Sequence, residues 1–136
     1  MRAILDTCIF ISIVEHDVPD LVNEILYDYD NQFYISSESV KEFMHLAQNG
    51  KIRFEKGVSG DTFDVFKFIE DVLGIEVKYV QKEHLKMFSH LDRVENHNDP
   101  SDRLIISQAI TEGLTLISSD HFFPKYRKQG LELIKV

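Results

Sequence analysis

With 136 residues, 43% hydrophobic and 28% charged, the chain has the composition of one folded domain with a real core, which excludes disorder as its ground state. No apolar run approaches the roughly 20 residues a membrane helix needs, and the single cysteine, Cys8, excludes an internal disulfide. The net charge of −8 excludes nucleic-acid binding by bulk attraction, so any such role requires bound cations or a local basic patch.

In chain order, Ala3-Ile4-Leu5 is a continuous apolar run, the mark of a strand covered on both faces. Met1-Arg2 leads straight into it, so no signal peptide is expected, and the lone cysteine points to a reducing, cytoplasmic setting. The run ends at Asp6-Thr7, and a helix is expected from about Cys8 to Glu15. A second helix should start at Pro19, capped by Asp17, and turn Leu21, Val22, Ile25 and Leu26 inward. Phe33-Tyr34-Ile35 reads as the second strand. Ser36 and Ser37 then signal a helix with Val40, Phe43, Met44 and Ala47 as its core stripe, ended by Asn49-Gly50.

Residues 51–60 read as a loop with a short strand-like piece at Ile52-Arg53-Phe54. Asp61 is expected to cap a helix running to about Leu73, whose Phe63, Val65, Phe66, Phe68, Ile69 and Val72 form a wide buried face or a partner surface. Gly74 breaks it. Ile75 to Val80 alternates like a half-exposed edge strand, and a polar helix spans about Gln81 to Leu91. Asp99-Pro100 opens the next helix, because Asp caps orphan N–H groups and Pro suits the first helical position. Its Leu104, Ile105, Ile106, Ala109 and Ile110 are apolar on more than one face, so it should be buried. After Gly113, Leu114 to Ile117 forms a strand ending at Ser118-Ser119-Asp120, and Leu131 to Val136 forms the last. Strands alternating with helices predict a three-layer α/β/α sandwich around a mainly parallel sheet of four to five strands, with right-handed crossovers, as a single domain over residues 1–136.

Ligands of such folds sit outside the carboxyl ends of the strands. Asp6 closes the first strand, Glu42 lies in the helix after the second, Asp102 in the first turn of the buried helix, and Asp120 just past the strand that follows it. Like charges about 5 Å apart repel by roughly 3 kcal/mol at an effective dielectric near 20, so four gathered acids need protons or cations. Oxygen ligands without clustered Cys or His favour Mg²⁺ or Mn²⁺, which acidify a bound water and hold phosphoryl oxygens. Each acid also has a structural reading. Ser39 to Glu42 matches a capping box, Asp99 and Asp102 share the cap-to-third-residue spacing, and Asp120 can start a turn at His121-Phe122-Phe123-Pro124.

Thr7 and Ser118 are candidates to bond ion-bound water or merely to cap strand ends. Arg103 is a candidate to pair with an active-site carboxylate or RNA, or to form a surface ion pair. The six histidines show no ligand spacing, His97 and His121 reading as polar neighbours, and Cys8 reads as core. Lys51, Arg53 and Lys56 form one basic cluster, and Lys125, Arg127 and Lys128 another; both also read as solvated surface.

Ile4-Leu5-Asp6-Thr7, Ser36-Ser37-Glu38-Ser39-Val40-Lys41-Glu42, Gly50-Lys51-Ile52, Asp99 to Ala109 and Leu116-Ile117-Ser118-Ser119-Asp120, in this order and spacing, resemble a PIN domain, and within that family the VapC-type toxins of toxin–antitoxin pairs. The resemblance covers essentially the whole chain. It implies an Mg²⁺- or Mn²⁺-dependent endoribonuclease acting on tRNA or another structured RNA, leaving 5′-phosphate and 3′-hydroxyl ends. It also implies a homodimer held inactive by a cognate antitoxin. By position it assigns catalysis and metal binding to Asp6, Glu42, Asp102 and Asp120, with Asp99 as the preceding acid and helix cap. Ser101 departs from the pattern, since that position is often aromatic in the group.

Two other classes compete. One is a catalytically silent PIN-like binding module whose acids serve a structural ion or a partner. The other is a phosphoryl-transfer domain, but a receiver wants paired acids after the first strand and a phosphatase wants Asp-x-Asp, where Cys8 stands.

Overall fold

The computed structural model describes all residues, 1–136. Five strands, β1 (Arg2–Leu5), β2 (Gln32–Ser36), β3 (Glu76–Lys78), β4 (Thr115–Ser118) and β5 (Glu132–Lys135), form one sheet in the order β3-β2-β1-β4-β5. Every pairing is parallel, with Leu5 opposite Ile35 on one side and Ile117 on the other. The chain winds outward from β1 to β3, then returns to lay β4 beside β1. The junction of β1 and β4 is therefore a topological switch point, where open α/β sheets keep their ligand crevice.

Alternation along β1 sends Ala3 and Leu5 to one face of the sheet and Ile4 to the other, and two separate cores result. The first is covered by α1 (Thr7–Val14), α2 (Asp20–Leu26), α3 (Ser37–Gln48) and α4, a turn of α-helix at Val65–Lys67 continuing as a π-helical Phe68–Val72. Phe10 and Phe43 meet edge to face there, ring centroids 5.0 Å apart. The second core is built by α6 (Pro100–Glu112), the 3₁₀ segment Phe123–Gln129 and the stretch after α5 (Lys82–His90), with Ile105, Ile106, Phe123 and Tyr126 fully buried. Gly113 ends α6 at φ +65, the left-handed conformation that suits glycine at a helix C-terminus. No helix is long and apolar enough to cross a membrane.

The three-layer sandwich agrees with the sequence, but several local expectations do not. Asp17 does not cap α2; Pro19 stands at the cap, and Asp17 lies 3.7 Å from Arg53. Leu21 and Met44 are 48% and 41% exposed, so the inward stripes of α2 and α3 are narrower than expected. Residues 52–54 form no strand. The helix expected at Asp61 starts only after Asp64, whose carboxylate accepts from the Lys67 N–H at 3.1 Å. Phe66 and Val72 of that helix are exposed, so its buried face is narrower than its composition suggests. The Ser39–Glu42 capping box is absent too. Ser36, the last residue of β2, caps α3 by accepting from the Glu38 N–H, and Ser39 lies buried inside the helix.

Candidate functional site

Asp6 and Asp120 leave adjacent strands at the switch point, and α3 and α6 bring further acids over them. The resulting cavity, of about 250 Å³, is lined by Asp6, Thr7, Cys8, Glu42, Asp99, Asp102, Ser119 and Asp120. Five of these eight side chains are carboxylates, and none is Lys or Arg.

Asp6 is 4% exposed and caps α1. Its Oδ1 accepts from the Thr7 N–H at 2.8 Å, and its Oδ2 accepts from Ser118 Oγ at 2.7 Å and Cys8 Sγ at 3.3 Å. Burial raises its pKa, these donors work against the rise, and Asp120 adds to it. A carboxylate offers about four lone-pair sites, so three donors leave one for a ligand. The Ser118 hydroxyl also accepts from the Asp120 N–H at 3.0 Å, tying the ends of β1 and β4 together. Asp120 in turn accepts from the Phe122 N–H at 2.8 Å and so starts the expected turn as well.

Glu42 reaches the cavity from the second turn of α3. Burial pushes its carboxyl up, and Asp99 and Asp6 push it further. The Thr7 hydroxyl donates to Ser39 Oγ at 2.9 Å and lies near enough to Glu42 to ease that rise. Asp99 caps α6, accepting from the Asp102 N–H at 3.1 Å. Asp102 is strongly perturbed. Burial first, then Asp6, Asp99, Asp120 and Glu42, raise it to about 8.

His97, which reads from the sequence only as a polar neighbour of the site, is the side chain that holds Asp102. Its Nε2 lies 3.2 Å from Asp102 Oδ2 and its Nδ1 2.6 Å from the buried Tyr126 Oη. Burial lowers the His97 pKa while Asp102 is raised, so this contact is a neutral hydrogen bond rather than an ion pair. One atom each of His97, Asp102 and Asp120 could meet one ion, all within 4.8 Å of one another. Both ring nitrogens are already engaged, however, which makes His97 the orienting partner of Asp102 rather than a free ligand. The signal that could have exposed it is Asn96, a residue tolerant of positive φ (here 64), which folds the turn closed by the Val94–His97 bridge.

The structure thus brings Asp6, Glu42, Asp102 and Asp120 to one cavity, with Asp99 and Thr7 beside them. Ser118 stands behind Asp6. Arg103 is not in the lining, and it forms neither expected pair: its Nη2 donates to the Leu91 carbonyl at 2.9 Å and its guanidinium lies over Phe88. Cys8 is only partly core, since its thiol faces Asp6 and Ser119. Clustered hard oxygens whose protons are held this high form a donor set that fits a divalent cation. An ion would replace the proton on Asp102 and relieve the mutual repulsion.

The PIN domain family model matches residues 3–129. No curated protein sequence matches the chain. Among solved structures it is similar to VapBC2 from Rickettsia felis bound to a promoter DNA fragment (TM-score 0.69, 21% identity, covering 99% of this chain and 98% of that one). It is similar also to DNA-bound VapBC from Salmonella typhimurium (0.68, 21%, 99% and 98%) and to VapBC-1 from nontypeable Haemophilus influenzae (0.68, 14%, 99% and 98%). At these identities the likeness is one of fold.

Proposed function

The chain belongs to the PIN-domain family, and on that premise we propose that it is a metal-dependent endoribonuclease, the VapC-like toxin of a toxin–antitoxin pair. The observation that carries the reading is the cavity at the β1/β4 switch point, with five carboxylates and no Lys or Arg in its lining. Asp6, Glu42, Asp102 and Asp120 would hold Mg²⁺ or Mn²⁺, which supplies Lewis acidity toward a phosphodiester and a nucleophile from water at neutral pH. Asp6 keeps a fixed orientation through Thr7, Cys8 and Ser118. His97 and Tyr126 set the Asp102 carboxyl. Asp99 contributes chiefly as the cap that fixes where α6 begins. The partner suggested by the VapBC neighbours is an antitoxin, and a homodimer, a tRNA or other structured RNA substrate and a cytoplasmic setting complete the proposal, with residues 1–136 acting as one domain.

The test is cleavage of RNA by the purified, partner-free chain. Mg²⁺ or Mn²⁺ should support it, EDTA should abolish it, and Asp6→Asn should remove it while the fold persists. Intact RNA under all conditions, with Mg²⁺ still raising the melting temperature, would instead leave a silent ion-binding module.

A further inference from the structure

The largest cavity of the chain, about 690 Å³, lies not on the acids but along the 3₁₀ segment next to them. Its walls are the loop Asp92–Glu95 and the segment from Pro124 to Gln129. Arg93, Lys125, Arg127 and Lys128 face two acids, Asp92 and Glu95, so four positive charges less two negative leave +2, on a chain of net −8. None of the four cations is engaged in an ion pair. The walls are fixed: the Gln129 side chain accepts from the Asp92 N–H at 2.8 Å and donates to the Asp92 carbonyl at 3.2 Å. Buried Val94, Phe123 and Tyr126 root both sides.

A chain of contacts through an aromatic lip links the groove to the acidic cavity. Lys125 Nζ sits 5.2 Å above the Phe122 ring, and Phe122 stacks on His97 at 5.4 Å and meets the exposed His121 at a tilt, centroids 4.2 Å apart. His97 is the partner of Asp102. Cations, rings and carboxylates therefore follow one another along one line of contacts, with Lys125 and His121 exposed and His97 buried beneath them.

We propose that this groove seats the phosphate backbone of single-stranded RNA flanking the scissile bond, with a base laid against His121 and Phe122. The inference rests on the ribonuclease reading above. A polyanion approaching an acidic protein needs a local strip of unpaired cations, and sequence-tolerant single-strand binding joins such a strip to an aromatic face. An acidic peptide would use the cations but has no need of the aromatic lip or of its continuity with the acids, which is why RNA is the occupant.

The experiment uses the full-length chain carrying Asp6→Asn, so that binding is read without cleavage. Anisotropy of a fluorescein-labelled single-stranded RNA is followed across a salt series. Replacing Lys125, Arg127 and Lys128 by Ala should flatten the plot of log K against log salt by about 2, at roughly 0.7 per lost phosphate contact on a single strand, and weaken binding on the order of tenfold at low salt. Replacing Lys51, Lys56 and Lys67 by Ala is the control and should leave the slope unchanged. Equal melting temperatures of the two triple variants exclude misfolding. Equal RNA affinity in both triples, or loss of polyglutamate binding alone in the groove variant, overturns the proposal. Failure of the parent chain to cleave RNA would sink the ribonuclease reading separately, because the binding measurement does not depend on turnover.

Discussion

Asp102→Asn should make the metal-free protein more stable, and increasingly so as pH rises. The Asp102 carboxyl has an ordinary value of 3.8 and stands at about 8 in the fold. Because the folded value is the higher one, the native state binds the extra proton. Stability then falls as pH rises above the unfolded value, keeps falling to about 8, and levels off beyond. A gap of about four pH units at roughly 1.4 kcal/mol each sets an upper bound near 6 kcal/mol. The Asp102 side chain is 20% exposed, and screening through that opening reduces the penalty to about 2 kcal/mol above pH 8. Asn keeps an oxygen that can accept from His97 and removes the charge, at a cost of about 0.5 kcal/mol in helix N-terminal electrostatics. At about 4 °C per kcal/mol for a chain of this length, the variant should melt about 6 °C above the parent at pH 8 to 9 and level with it near pH 5. The assay is thermal unfolding by circular dichroism in EDTA from pH 5 to 9. Parallel melting curves across that range would refute the idea that the acids impose a cost for an ion to relieve. Adding Mg²⁺ should narrow the difference, because the parent gains more from the cation than the variant does.

Two further outcomes follow from the packing. Tyr126→Phe keeps the buried ring but removes the hydroxyl 2.6 Å from His97 Nδ1, leaving that nitrogen unpartnered. We expect a loss of about 1–3 kcal/mol in urea unfolding and weaker Mg²⁺ stabilisation as Asp102 loses its fixed partner; unchanged values would show that the His97 contact does not matter. Gly60→Ala would place a Cβ 2.7 Å from the backbone oxygen of Ala47, a contact that only a shift of the loop or of the end of α3 can relieve. A fall of about 1–3 kcal/mol is expected, and an equal melting temperature would mean that the loop gives way freely.

The sheet and its helices were legible because each carries a local cause. The apolar run at Ala3–Leu5, the Asp99-Pro100 cap and Gly113 all point to the observed elements. The four acids were legible as a group because the strand-end rule places them without any contact information. Between Lys51 and Asp64 that logic fails. Asp61 and Asp64 are equally good caps, and the choice is made by burying Val65 and Ile69 under the first core. Ser36, Ser37 and Ser39 are all competent caps, and the choice falls to Ser36 because β2 runs through it straight into α3. His97 needed Tyr126, distant in sequence, to acquire meaning, and Arg103 needed Leu91 and Phe88 to lose the role its neighbours suggested.

The rims of the sheet bear on how copies of the chain can meet. β3 is three residues long, and the Lys78 side chain at its end is tied to Glu112 of α6 at 3.0 Å. β5 has four residues, with charged Glu132 and Lys135 at its two exposed ends. Neither offers the long, flat, apolar ladder of unpaired amides that recruits another strand. Concentrated protein should therefore resist fibrillation, and any pairing of two copies must be made through side chains of the outer helices rather than by continuing the hydrogen-bond ladder from one molecule into the next.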